Sequence, residues 1–451
     1  MTLIEKYNVA APRYTSYPTV PYWDNTLLDA ASWKDRLKAS FSATNQSKGI
    51  SLYVHLPYCE SLCTYCGCNT RITVNHQVEE TYIEAVLHEW KQYLDLLGDK
   101  PVIRELHLGG GTPTFFSPAH LEKLVSGLLK EAIVHPEYDF GFEGHPANTT
   151  TEHLETLYRI GFHRVSFGIQ DFDETIQDMI HRFQTVGQVK TITDEARRIG
   201  YTSINYDLIY GLPLQTEKGI ERNITSVLSL RPDRIAFYSY AHVPWIKPGQ
   251  RKYTELDLPQ GDAKRRLYET GRSMFLGAGY CDIGMDHFAI QNDPLYAAMK
   301  NKTLHRNFMG YTTSQTDVMI GLGVSAISDC WTAFAQNGKV VEQYMEKVAA
   351  NELPVFRGHG LSDEDMVLRR HILNLMCRYE TSWEKQGLQC EALYEGLERM
   401  AELEKDELVI IRPCSLEVTA AGKAFVRNVC MAFDARLWKS IPATQIFSQS
   451  I

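Results

Sequence analysis

From residue 77 to residue 240, helix-like and strand-like stretches alternate without a break, and this most narrows what the chain can become. QVEETYIEAVLHEWKQYLDLL (77–97) places Ile83, Val86, Leu87, Trp90 and Leu94 on one helical face. VIRELHLGGG reads as a strand running into glycines, and a helix near 118–133 opens with Ser117 as its cap and Pro118 in its first turn. YDFGFEG, RVSFGIQ, SINYDLIYGLP and RIAFYSY read as further strands, separated by helices over 151–160, 185–199 and 216–229. Strands that alternate with helices must lie parallel, because each return crosses the sheet through a helix. About six such units fit between residues 50 and 280, two short of a closed eightfold barrel. The expected fold is α/β, an incomplete (β/α)6 barrel.

In parallel barrels, functional groups collect where strands end at their C-termini. Gly109-Gly110-Gly111-Thr112, Glu143, Gln170, Asp207 and Ala241 stand at those places in the pattern. From about residue 360 the alternation stops. SDEDMVLRRHILNLMCRY and QCEALYEGLERMAELEKD read as helices, followed by a hairpin in ELVIIRPCSLEV. Helices with a short hairpin suggest a winged-helix-like C-terminal domain packed over the barrel mouth. The division expected is an arm over residues 1–47 that covers the active site, a catalytic domain over 48–350 and a helical domain over 351–451.

The chain has 451 residues, 44% hydrophobic and 22% charged, with a formal charge of −9. An acidic chain is a poor fit to nucleic-acid binding, and the wing is not read as a DNA reader. The N-terminus lacks a basic region followed by an apolar run, and no stretch approaches ~18 uninterrupted apolar residues. The expectation is a cytoplasmic protein with no membrane partner. Ten cysteines in a reducing compartment are then not disulfides. Six are scattered and read as small buried hydrophobes.

The other four crowd into PYCESLCTYCGCN, as Cys59, Cys63, Cys66 and Cys68. Structural zinc sites usually pair two C-x2-C knuckles across a longer insert, and no second knuckle is present. Cys63-Thr-Tyr-Cys66 alone could pass for a redox motif. The C-x3-C-x2-C loop fits better as three thiolates on a [4Fe–4S] cube, which takes one thiolate per iron and so keeps one iron open. A fourth thiolate would close that iron, so Cys68 is not expected to be a ligand. Several neighbouring signals are weaker. The glycine run offers backbone N–H groups at a strand end. Asp207 sits in apolar surroundings and needs a partner, with Arg182 and Gln170 the natural polar companions for a zwitterion. His55 and His107 read as structural, and GMDHF (284–288) and HRNFMGYT (305–312) as pocket loops.

The C-x3-C-x2-C spacing with Tyr65 before the last cysteine resembles the radical S-adenosylmethionine (SAM) superfamily. There the open iron holds the amino and carboxyl groups of SAM, and one electron splits SAM to give a 5′-deoxyadenosyl radical. KYNVAAPRYTSYPT, SLYVHLPYCESLCTYCGCN, LHLGGGTPT, SFGIQDF, YDLIYGLP, IGMDHFA, LHRNFMGYTT, GVSAIS and RNVCMAFD are similar to the oxygen-independent coproporphyrinogen III oxidases almost end to end. A related heme-binding family shares the barrel but lacks the N-terminal arm and normally the cysteine matching Cys68. A homologue that binds, transfers or degrades heme is therefore the second reading.

The resemblance implies decarboxylation of coproporphyrinogen III to protoporphyrinogen IX, with the ring A and B propionates becoming vinyl groups. It implies one cluster on Cys59, Cys63 and Cys66 and two SAM molecules. Tyr53, Gly110, Glu143 and Ile327 match contacts of the SAM on the cluster. Tyr65, Gly111, Thr112, Gln170, Arg182, Asp207 and Ala241 match contacts of the second SAM, with Arg182 and Asp207 as opposite-charge clamps. Cys68 and Gly67 belong with the SAM pair, and Tyr53, Cys68, Glu143 and Ile327 are the expected catalytic positions. A reduced flavodoxin or ferredoxin-type protein is the expected electron donor, the acceptor is unassigned, and the chain is expected to be a monomer. Arg13, Arg306 and Arg427 are candidate cations for the substrate carboxylates. Two departures stand out: Met309 where the family has glutamine, and EGHPAN after Glu143 instead of an acidic EVDP-type form.

Overall fold

A computed structural model describes residues 2–442 together with 447 and 449. The alternation folds as read. Strand β1 (Ile50–Leu56) is followed by α1 (Val78–Leu97), β2 (Val102–Gly110), α2 (Pro118–Leu129), β3 (Ile133–Gly144) and α3 (Thr151–Arg159). Then come β4 (Arg164–Gln170), α4 (Val186–Ile199), β5 (Ser203–Tyr210), α5 (Glu217–Leu230) and β6 (Arg234–Ser239). These six strands pair in chain order, all parallel. Helix α1 buries Tyr82, Ile83, Val86, Trp90, Tyr93 and Leu97, each side chain worth roughly 1.5–3 kcal/mol of transfer free energy. Ser117 caps α2 through the N–H of His120, with Pro118 at the first position, as expected. The helix stops at Leu129 rather than near 133, because Ile133 already starts β3.

Two outcomes differ from the sequence reading. A seventh parallel strand, β9 (Met319–Leu322), lies on the free side of β1, beyond which β10 (Ile327–Asp329), β11 (Ala333–Asn337) and β12 (Val355–Gly360) run antiparallel. On the other flank β6 carries the antiparallel strands β8 (His287–Ala289) and β7 (Cys281–Gly284). The sheet is thus a linear order of twelve strands whose ends do not pair, an open partial barrel. A short hairpin, His305–Asn307 and Gly310–Thr312, rather than a helix directly precedes β9, so the alternation could not announce it. β12 pairs with β11 across an intervening helix, Val341–Ala349, so a domain boundary at 350/351 separates two hydrogen-bonded strands of one sheet.

The C-terminal region is built on one long helix, Asp363–Arg378, packed against a three-stranded antiparallel sheet formed by Glu380–Ser382, Val409–Arg412 and Ser415–Val418. Its core contains Leu368, Ile372, Met376, Phe425 and Val429, and it also contains Tyr7, Tyr14 and Tyr17 from the arm. The arm is therefore part of the second core. Trp23 continues it onto the barrel, stacked on Phe334 at 5.3 Å. No helix among the described residues is long and apolar enough to cross a membrane.

Candidate active site

The loop between β1 and α1 carries the four clustered cysteines over the strand C-termini. It is stapled from several sides. Thr64 donates its N–H to the carbonyl of Ile180 (2.9 Å) and its hydroxyl to that of Met179 (2.9 Å). Gln250 donates to the carbonyls of Tyr65 (3.1 Å) and Ala241 (3.2 Å), Lys247 to that of Cys68 (2.9 Å), and Asn69 to that of Lys339 (3.0 Å). These partners lie far off in sequence, and nothing in the motif signals them.

The loop roofs a cleft of about 310 Å³. Cys59, Cys63, Cys66, Tyr65, Gly67, Cys68, Gly110, Gly111, Thr112, Glu143, Gln170, Arg182 and Asp207 all line it. Three expected positions do not. Tyr53 lies just beneath, its ring stacked on His107 and its hydroxyl 3.2 Å from Nδ1 of His55. Ile327 is in β10 and packs partly against the Trp23–Phe334 cluster. Ala241 lines a neighbouring cavity and reaches the cysteine loop through Gln250.

The glycine run works differently from the expectation. Its amides are already engaged: Gly110 N–H with Glu143 Oε2 (3.2 Å), Gly111 N–H with the Leu56 carbonyl (2.8 Å), and Thr112 N–H with the Tyr58 carbonyl (3.0 Å). What the glycines supply is close approach. A Cβ at Gly111 would stand 2.5 Å from the Pro57 carbonyl oxygen, and one at Gly110, whose φ is +119°, would strike the His55 ring. The segment thus seats β2 against the cysteine loop, and Thr112 Oγ1 lies 3.3 Å from the Cys59 sulfur.

Arg182 is buried, donates twice to the Gly168 carbonyl and directs Nη1 at the Cys63 sulfur (3.8 Å). Asp207 is not paired with it. Its carboxylate accepts from Ser166 Oγ (2.8 Å) and Asn205 Nδ2 (2.9 Å), and β5 continues three residues past it, so Asp207 lies on the strand face and not at its end. Burial raises its pKa to about 6 against the two hydrogen bonds, with Glu143 adding a smaller push in the same direction. Gln170 does end its strand, at φ +64° beside a register shift, so a bulge turns its buried side chain toward the cleft.

Ser166, Asn205 and Tyr238 were not singled out from the sequence. A signal existed for one of them: Asn205 shares a strand face with Asp207 at a spacing of two, whereas Ser166 comes opposite Asn205 only through the sheet register. Tyr238 at the end of β6 had none beyond its position.

The thiols fit an iron–sulfur cube. Cys66 is lowered to about 6, chiefly by the hydrogen bond from the Cys68 side chain, which raises Cys68 in turn. Burial pushes Cys59 up to about 11. Arg182 and Thr112 place donors on two of the three sulfurs. Among the described residues no three or more His, Cys, Asp or Glu converge tightly enough for a single ion. A four-iron cube is wider than one ion and takes its thiolates at separate corners.

Three comparisons follow the same line. The family model described as "Radical SAM superfamily" matches residues 53–226. The oxygen-independent coproporphyrinogen III oxidase of Salmonella typhimurium is 37% identical over 442 residues, covering 97% of this chain and 95% of the relative. That of Pseudomonas aeruginosa is 36% identical over 445 residues, covering 96% and 95%. The solved coproporphyrinogen III oxidase from Escherichia coli, described as a radical SAM enzyme, superposes with a TM-score of 0.88 at 35% identity, covering 94% of this chain and 97% of that one.

Proposed function

The chain belongs to the oxygen-independent coproporphyrinogen III oxidases of the radical SAM superfamily, and on that premise we propose how its residues divide the work. The activity is the oxidative decarboxylation of coproporphyrinogen III to protoporphyrinogen IX in heme biosynthesis, without oxygen. Cys59, Cys63 and Cys66 hold the cluster. Tyr53, Gly110, Glu143 and Ile327 serve the SAM on its open iron. Tyr65, Gly111, Thr112, Gln170, Arg182, Asp207 and Ala241 serve a second SAM, with Cys68 and Gly67 between the two. The observation that carries this reading is the gathering of three thiols, the glycine shelf, Arg182 and Asp207 in one cleft.

When bound, the cluster and SAM supply one-electron cleavage and hydrogen abstraction from an unactivated propionate, chemistry no side chain offers. The residues orient and enclose. Arg182 gives a fixed positive charge for a carboxylate beside the Cys63 sulfur. Asp207, held by two donors, gives a carboxylate for the positive groups of SAM. Glu143 is positioned by the Gly110 amide and faces the cleft with its remaining lone pairs. The first part of the arm closes the mouth, with Arg13 reaching the carbonyl of Ser239 (2.7 Å) and Asp286 (3.6 Å), and keeps water from the reacting carbon, whereas residues 30–47 belong to the helix Ala30–Lys48, which buries Trp33, Leu37 and Phe41 in the barrel core. A reduced flavodoxin or ferredoxin-type donor delivers the electron, and the chain acts as a monomer.

The test is anaerobic reconstitution with iron and sulfide, then SAM, dithionite, coproporphyrinogen III and cell extract as acceptor source, with products followed by mass spectrometry. Stepwise loss of one CO2 and two hydrogens at each of two propionates, absent in Cys63→Ser, is the expected result. Formation of 5′-deoxyadenosine with the tetrapyrrole unchanged would overturn the substrate and favour a heme-handling protein.

A further inference from the structure

Arg306 is buried, 8% exposed, yet its Nε and Nη1 have no hydrogen-bond partner. A guanidinium cannot shed its charge, so burial without an acceptor is costly. Its one strong neighbour is an aromatic face: the ring of Tyr311 lies 4.5 Å from it across the hairpin His305–Asn307/Gly310–Thr312. Tyr311 is itself fixed, donating its hydroxyl to the Met376 carbonyl at 2.7 Å. The nearby carboxylate of Asp286 is engaged by Arg13. By contrast, Arg427 donates to the carbonyls of Ala11, Pro12 and Gln449, and Arg13 to that of Ser239. Of the three candidate arginines, Arg306 alone has buried N–H groups left over.

A second orphan stands beside it. His287 packs its ring edge-on against the same Tyr311 at 5.2 Å, and its buried Nδ1 has no partner. Its Nε2 is 3.4 Å from the hydroxyl of Tyr238. Tyr238 lines the thiol cleft. With Tyr238 donating to Nε2, Nδ1 carries the proton and is a free donor. Burial and the neighbouring Arg306 lower His287 to about 3, so it stays a neutral N–H donor across the working pH range.

We propose that Arg306 and His287 Nδ1–H form a carboxylate subsite that seats one side-chain carboxylate of the tetrapyrrole, one tyrosine away from the reacting cleft. The proposal rests on the substrate reading above. It explains why both pocket loops, GMDHF and HRNFMGYT, converge on Tyr311. It makes Arg306 a specificity residue: a substrate lacking that carboxylate would leave the guanidinium buried and unpaired.

The test compares wild type, Arg306→Lys, Arg306→Gln and His287→Gln. Measured quantities are KM for coproporphyrinogen III, SAM affinity, and fluorescence-quench affinity for coproporphyrin III against a dicarboxylate porphyrin. The expected result is a KM rise of about tenfold or more for both arginine variants and less for His287→Gln, since a charge-assisted hydrogen bond is worth more than a neutral one. SAM affinity should hold, and the preference for the tetracarboxylate porphyrin should shrink in the arginine variants. An unchanged KM, or a matching loss of SAM affinity, would overturn the subsite. Hydrogen exchange on the wild-type protein gives an arm that needs no variant. Coproporphyrin III should slow exchange over residues 283–288 and 305–312, and unaltered exchange there refutes the proposal. If the wild type fails to turn over coproporphyrinogen III at all, the underlying reading fails instead.

Discussion

At the residue scale, Asp207 is a cleft carboxyl whose chemistry the fold changes. Its pKa is raised to about 6, so it is neutral below that pH and negative above it. If the negative form holds the positive groups of SAM, kcat/KM for SAM should fall about tenfold per unit as pH drops below about 6 in the free enzyme. Asp207→Asn should be weak at every pH and lose that dependence. A pH profile of both proteins under anaerobic conditions checks this, and an unchanged wild-type profile between pH 5 and 7 would remove Asp207 from SAM binding. Arg182→Lys keeps the charge but loses the planar fork that spans the Gly168 carbonyl and the Cys63 sulfur. SAM affinity in that variant should drop about tenfold or more, while iron content stays near wild type, because the three thiols remain.

At the element scale, helix α1 is joined to the far flank of the sheet by one buried carboxylate. Glu89 accepts from the Gly323 amide (2.8 Å), Asn337 Nδ2 (2.7 Å) and the Tyr344 hydroxyl (2.7 Å). That knot fixes the turn between β9 and β10, the strand that carries Ile327. Glu89→Leu would leave three buried donors unpaired and should cost about 2–4 kcal/mol. Urea denaturation measures it, and a loss below about 1 kcal/mol would mean the donors find other acceptors. Burial raises Glu89 to about 7. A carboxyl whose folded pKa lies above its unfolded one binds more protons when folded. Its contribution is therefore full below the unfolded pKa and is lost as pH rises toward 7. Stability measured from pH 5 to 7 should fall less steeply in Glu89→Gln.

At the scale of the molecule, the arm ties the two cores together. Tyr7, Tyr14 and Tyr17 are buried in the C-terminal core while Trp23 stacks on the barrel's Phe334. Removing residues 1–20 should leave cluster assembly intact, because every staple of the cysteine loop lies elsewhere. It should abolish turnover and lower the melting temperature of the C-terminal part. Iron content, 5′-deoxyadenosine formation and product formation on the truncated chain separate these effects, and normal turnover would sink the lid.

Much of this was legible in the sequence because its causes are local. A helical period needs only near neighbours in the chain, and so does a glycine run, so β2 to β6 and their helices were readable in order. The thiol spacing is local too, and the cysteine loop stood out without a fold. The position of β9, the engagement of the glycine amides, the separation of Arg182 from Asp207, and the pairing of Asp207 with Ser166 and Asn205 were not readable. Each depends on which strand lies beside which, a choice made by burial of the whole sheet and not by any segment. The same holds for Arg306 and His287. Their residue types were visible, but only packing around Tyr311 decided that their N–H groups would be buried without a partner.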